Sequence, residues 1–202
     1  MAVHPHAGRV TNVAVTGAAG FIGSALRRAV AQRGDCAVTA IDVAPIKRWH
    51  RLAGVEGLAR VCADTADPAA LTVAFRSHDV VVHLASGTDM ARGADDSLGN
   101  FSGSLAATCA VAEAPRVSGV GTVLFASSSA VYGELASRAP ARETDGPLLP
   151  ISTYGVAKMA GEGVLSAYAA LFGLRVVIVR PGTVVGSGMD RGVLPSVIAQ
   201  LV

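Results

Sequence analysis

The sequence predicts an α/β protein built as a doubly wound parallel sheet. Three observations carry that expectation. Short β-branched runs alternate with Ala-rich helical stretches along the whole chain. The first run leads straight into a glycine-rich turn. Hydrophobic residues make up 51% of the 202, drawn mainly from Ala, Val and Leu, while aromatics supply only 4%. Small aliphatic side chains suit strands that are buried on both faces. Alternating β and α units imply parallel strands joined by right-handed crossovers.

Each element has its own signal. Residues 13–16 read as the first strand, 20–33 as a helix and 37–42 as the second strand. A short strand at 60–63 precedes a helix at 68–76, which Asp67 and Pro68 start with a capping acid and a proline in the first turn. Residues 80–85 form the next strand and 100–114 a helix that ends near Pro115. A strand at 122–126 follows, then a stretch at 133–150 rich in Pro, Gly and charge, which reads as an active-site loop. Residues 153–172 form a long helix closed by Gly173, 175–179 a strand and 192–202 the start of another helix. The expected strand order is 3-2-1-4-5-6, with a ligand at the switch point between the first and fourth strands.

Composition narrows the function classes. Charged residues are 16% and the net charge is +2, which argues against a disordered chain and against nucleic acid or an anionic membrane as a partner. No apolar run reaches transmembrane length, because Arg175, Arg180 and Pro181 interrupt 164–185. The N-terminus, with His4, Pro5, His6 and Gly8, lacks a signal-peptide core. Cys36, Cys62 and Cys109 fit neither a disulfide framework nor a zinc site, so they read as reduced, mostly buried thiols of a cytoplasmic protein, with no metal bound.

The turn after the first strand is Gly17-Ala18-Ala19-Gly20-Phe21-Ile22-Gly23. Glycines let the backbone turn sharply and approach a pyrophosphate, and the helix that follows offers free N–H groups and the positive end of its dipole. Asp42 ends the second strand 19 residues after Gly23, close to the spacing of an acid that binds a ribose. A carboxylate there accepts from a 2′-hydroxyl and repels a 2′-phosphate, which favours NAD over NADP. Lys47 and Arg48 nearby soften that preference. The plain reading of Asp42 is a strand-end cap.

Tyr154 and Lys158 stand at i and i+4 and share one helix face. A free phenol titrates near 10, and an adjacent ammonium lowers that value toward neutrality. Ser127, Ser128 and Ser129 close the fifth strand, at the sheet end where ligands gather. A hydroxyl there is placed to bond the substrate oxygen that Tyr154 protonates or deprotonates.

With these pieces in place the chain resembles the extended short-chain dehydrogenase/reductase family, in its NAD-dependent epimerase/dehydratase branch. The matching residues are Thr16 through Ser24, Asp42, Asp64, His83-Leu84-Ala85, Asn100, Ser127 through Gly133, Tyr154-Gly155-Val156-Ala157-Lys158 and Arg180 through Gly186, in family order. The resemblance implies a Rossmann fold over residues 1–180 and the start of a substrate-binding region at 181–202. It implies Ser128, Tyr154 and Lys158 as the catalytic set, with Lys158 holding the nicotinamide ribose. Cofactor contacts fall by the same resemblance on Gly17, Gly20, Phe21, Ile22, Gly23, Asp42, Asp64, Leu84, Ala85, Ser86, Lys158 and Pro181. Asn100 is implied as a helix residue supporting the active-site hydrogen bonds, and His83 as structural. Nucleotide-sugar members usually carry Asn at Thr183 and Tyr at Val185, so the substrate stays open.

The expected function is NAD-dependent hydride transfer on a secondary alcohol or ketone, net or as the transient step of an epimerisation or dehydration. A non-catalytic NAD sensor, and an isomerase or cyclase with structural NAD, are the alternatives. Small apolar residues on more than one face of helices 100–114 and 153–172 predict a homodimer. Family members usually continue well beyond this length, so the resemblance implies a truncated or minimal substrate lobe and a reaction site open to bulk water.

Overall fold

A computed structural model describes residues 10–31, 34–45, 49–54, 58–86, 97–137 and 140–189. Strands β1 (Thr11–Thr16), β2 (Cys36–Asp42), β3 (Ala59–Cys62), β4 (Val80–His83), β5 (Thr122–Ala126) and β6 (Arg175–Val179) form one parallel sheet in the order β3-β2-β1-β4-β5-β6. This is the expected order. Helices α1 (Phe21–Ala31), α2 (Pro68–Ala74), α3 (Ser97–Ser118) and α4 (Thr153–Phe172) provide four of the five crossovers, and the 3-10 helix His50–Leu52 lies in the fifth, between β2 and β3. The helix expected at 192–202, together with Lys47 and Arg48, lies outside the described residues.

Period-two alternation sorts the strand side chains between two cores. Ala14, Ile41, Val81, Val123 and Phe125 pack with Leu71 of α2, Val111 of α3 and Leu165 of α4 on one face. The next residue along each of two strands, Val15 and Val82, points the other way, as does Ala40 one residue back on β2, onto Trp49, Leu52 and Leu58. Leu26 of α1 packs against that second cluster. β6 is the sheet's last strand, and Val177 and Val179 are each 43% exposed.

Local chemistry sets the element ends. The Asp67 carboxylate caps α2, accepting from Ala69 N and Ala70 N at 2.9 and 3.1 Å. Ser152 Oγ caps α4 through Gly155 N at 3.1 Å, and Gly173 (φ 70) closes it. Pro115 does not end its helix as expected. It lacks the N–H for a bond back one turn, yet α3 continues to Ser118 because the Pro115 carbonyl still accepts from Gly119 N and Val120 N, at 2.9 and 3.1 Å. β4 stops at His83, two residues earlier than expected, since Leu84 N and Ala85 N turn to Thr16.

The cysteines are free, but the expectation that they are mostly buried fails. Cys62 ends the edge strand β3 and Cys109 sits on the outer face of α3, both exposed, while Cys36 is half-buried. Among the described residues no helix is long and apolar enough to cross a membrane.

Candidate active site

The glycine turn sits between β1 and α1, at the carboxyl end of the sheet and beside the ends of β2 and β4. Gly17 has φ 69, and a Cβ on it would stand 2.7 Å from Ala85 N and 2.9 Å from Ala85 Cα. Only glycine tolerates both conditions. A Cβ on Gly20 would meet Gly17 O at 3.1 Å, and one on Gly23 would collide with Gly17 O and Ala18. The turn is thus a bare-backbone cradle opening onto the first turn of α1, whose leading N–H groups have no partners within the helix. Ser86, just beyond β4, carries a buried hydroxyl with no hydrogen-bond partner. A backbone cradle plus an orphaned hydroxyl fits a phosphate-bearing nucleotide.

Asp42 reaches back into this turn. One carboxylate oxygen accepts from Ala19 N at 3.0 Å and the other from Ala44 N at 2.9 Å. The acid therefore does cap its strand end, and the same bonds fix it beside the cradle with further lone pairs unused. Asp64 is exposed and closes a tight turn, accepting from Ala66 N at 2.9 Å. Phe21 is half-buried and Ile22 is 41% exposed at the mouth of the turn. Leu84, Ala85 and Ser86 are half-buried next to it, and Pro181 carries the carbonyl that accepts from Ser129 N at 2.9 Å.

The second group gathers at the ends of β5 and β6. Gly155 lets α4 seat tightly there, because a Cβ on it would lie 2.7 Å from Ala130 O. This brings Tyr154 against the Ser128 hydroxyl. Ser128 Oγ also accepts from Ala130 N at 3.1 Å. Burial raises the Tyr154 phenol above its ordinary value, and the Ser128 hydrogen bond pulls it partly back. The expected lowering by Lys158 is absent in this arrangement. The Lys158 ammonium donates to Ala126 O at 2.7 Å and stands 5.7 Å from the Tyr154 ring centroid, over the ring and not at its oxygen. Lys158 is itself buried, which lowers it to about 8. Tyr154 and Ser128 are both half-buried, so neither is sealed from water.

A supporting network goes beyond the residues that the sequence singles out. Glu162 lies one turn beyond Lys158 on the same face of α4 and pairs with Arg180 through two bonds of 2.9 and 2.7 Å. Ser127 Oγ donates to the same carboxylate, at 2.5 Å. Arg180 also donates to Tyr132 Oη at 3.0 Å and Glu143 O at 3.3 Å. These bonds tie α4, both strand ends, the 3-10 helix Ser129–Ser137, which takes up the first part of the stretch expected as a loop, and the backbone at Glu143 together. They line a cleft of about 610 Å³ with Ser129, Pro140 and Val179. The available signal is the spacing Tyr154, Lys158, Glu162, since three residues four apart share a helix face.

The doubly wound sheet, the glycine cradle at its switch point and the helix carrying Tyr154 and Lys158 beside it define a Rossmann-type α/β fold class. The chain belongs to the NAD dependent epimerase/dehydratase family, whose model matches residues 13–202. It is 35% identical over 184 residues to an L-arabinose 1-dehydrogenase (NAD(P)(+)) of Haloferax volcanii, covering 86% of this chain and 67% of that one. It is 39% identical over 192 residues to D-erythronate dehydrogenase of Cupriavidus necator, covering 85% and 56%. Among solved structures it superposes on the UDP-glucose 4-epimerase of Thermus thermophilus in complex with NAD, with a TM-score of 0.81, 31% identity and coverage of 94% and 61%. The chain spans between about half and two thirds of the length of the curated relatives it matches.

Proposed function

We propose that this chain carries the cofactor-binding and acid/base half of an NAD-dependent enzyme that oxidises a secondary alcohol or reduces a ketone. The observation that supports this most is the meeting of Tyr154 with Ser128 one helical turn from Lys158, at the same sheet end as the glycine cradle. When bound, NAD supplies the hydride acceptor or donor. Gly17, Gly20, Gly23 and the start of α1 with Phe21 and Ile22 hold its pyrophosphate. Asp42 bonds the adenosine ribose, Asp64 the adenine, and Leu84, Ala85, Ser86 and Pro181 line the remainder.

The chain's own groups then handle the proton. Ser128 orients the substrate oxygen. Tyr154 takes its proton during oxidation and returns one during reduction. Lys158 holds the nicotinamide ribose, and its ammonium favours the phenolate as that form develops. Burial opposes the phenolate, and the Lys158 ammonium, which spends one N–H on Ala126 O, works against that shift.

The relatives split between dehydrogenases of a sugar and a sugar acid and epimerases of nucleotide sugars. We take polyhydroxylated, sugar-like molecules as the substrate class. A panel of free sugars, sugar acids and nucleotide sugars with NAD and NADP tests the reading. Reduced cofactor accumulating with one of them identifies a dehydrogenase, and an inverted carbinol without accumulation identifies an epimerase. Tight NAD binding with no change in any substrate would favour a sensor instead.

A homodimer is part of the same proposal, in a cytoplasmic setting that suits three free thiols. Ala107, Ala110 and Val111 of α3 and Leu165 of α4 are buried against the rest of the chain. That leaves Ala106 on α3, and Ala167, Leu171 and Phe172 on α4, exposed to solvent on adjoining helices. Light scattering at micromolar concentration should give twice the chain mass; a monomer counts against it.

A further inference from the structure

Behind the cradle runs a buried polar line that the function above does not use. His83 is fully buried at the end of β4, with Nδ1 2.8 Å from Thr16 Oγ1 and Nε2 3.3 Å from Thr108 Oγ1. Thr108 Oγ1 donates its single proton to Ser104 O at 3.0 Å. Toward His83 it therefore only accepts, which places the ring proton on Nε2. Nδ1 is then bare and accepts from Thr16 Oγ1. The Thr16 oxygen in turn accepts from Ala85 N at 3.4 Å. One direction of donation thus runs from Ala85 through Thr16 and from His83 through Thr108 to the helix α3 backbone. The ring is stacked on Phe125 at 5.6 Å, and Lys158 is the charged group acting on it. Burial first, and Lys158 second, lower His83 to about 3, so it stays neutral.

We propose that His83 is a positioning residue for the cofactor turn, holding residues 84–86 against Gly17 and thereby setting NAD affinity from behind the binding surface. The inference rests on reading the glycine cradle as the NAD site. The linkage is short. Gly17 packs so closely on Ala85 that no Cβ fits between them, and Ala85 N is fixed by Thr16, which is fixed by His83. His83 has no exposed surface and acts only through these partners.

Thr108→Val tests this, since it keeps the side-chain shape and removes the acceptor of the Nε2 proton. A buried N–H left unpaired should weaken NAD binding roughly fivefold to tenfold. Turnover at saturating NAD should stay within about twofold, since no group at the reacting centre changes. Thr108→Ser, which restores the hydroxyl, should recover the affinity. A purely structural role would instead lower thermal stability and leave the affinity of the folded protein unchanged, and that result overturns the proposal. Parent protein that binds no NAD would overturn the site reading and the proposal together; parent binding with an unaltered Thr108→Val overturns the proposal alone. Imidazole nitrogen NMR on the unmodified protein decides independently of folding. A neutral ring protonated on Nε2 from about pH 5 to about pH 8 supports the relay, and a titrating ring or an Nδ1 proton contradicts it.

Discussion

The two halves of the sheet are held together by different physics. Around the glycine turn, β1, β4 and α1 meet through bare backbone, and the titratable group with no exposed surface there is neutral His83. Around Ser128, the ends of β5 and β6 meet α4 through buried charge: Lys158 on a carbonyl, and Glu162 locked to Arg180. On the proposed function the cradle accepts an anion with little rearrangement, which suits fixed dipoles and close packing. On the same proposal the Ser128 side moves a proton, which calls for ionisable groups at a depth where their charges interact strongly. The first half should therefore answer to shape and the second to charge.

The largest effect should come from breaking the buried pair. Glu162→Leu leaves Arg180 charged, with no carboxylate and only the Tyr132 hydroxyl and the Glu143 carbonyl to accept from it, and denaturant unfolding should show a loss of about 3–5 kcal/mol. Adding Arg180→Met in the same chain should recover much of it, because two apolar side chains replace a pair that was costly to desolvate. If the double variant is no more stable than the single one, charge is not what holds this half.

On the other side, Gly17→Ala adds a Cβ against Ala85 at a positive φ, where the contacting atoms are backbone and cannot swing away. Strain of about 1–3 kcal/mol should appear in stability, together with weaker NAD binding. Unchanged binding would show that the turn is not shape-limited.

Acid should expose the neutral histidine. His83 titrates near 3 when folded against 6.5 as a free side chain. Between those values the unfolded chain binds the extra proton, so stability is fully present above pH 6.5 and falls as pH drops toward 3. The slope from this one group approaches about 1.4 kcal/mol per pH unit. Unfolding measured across that window in the parent and in His83→Asn should show a shallower slope in the variant.

The smallest change concerns nucleotide choice. Asp42→Ala removes a carboxylate that is fixed by Ala19 N and Ala44 N. Titration should show the preference for NAD over NADP narrowed by about tenfold, the scale of one charged hydrogen bond. An unchanged ratio would mean another residue reads the ribose.

The same division explains what is legible in the sequence. The cradle half depends on local spacing: three glycines after a strand and an acid at the end of the next one, so its layout and the strand order can be read directly. The meeting of Tyr154, Lys158 and Ser128 at one sheet end is also legible, since each lies in a short motif. The Glu162–Arg180 pair is not, because its members are 18 residues apart and meet only when β6 is laid beside β5. The state of Tyr154 departs from expectation for a related reason. Helical spacing puts Lys158 on the same face but does not say whether its ammonium reaches the phenol oxygen or the nearer carbonyl of Ala126. Pro115 reads as a stop because its missing N–H is a local fact, while the carbonyl bonds that continue the helix belong to the next turn.

The central claim is that Tyr154 moves the proton in a reaction whose cofactor the glycine cradle holds. NAD titration and turnover of Tyr154→Phe, side by side with the parent on whichever substrate the panel identifies, test it most directly. The substitution removes one hydroxyl and keeps the ring, so NAD affinity should be unchanged while kcat falls by about 10²–10⁴-fold. Turnover within a few-fold of the parent, with NAD bound as before, would contradict the account.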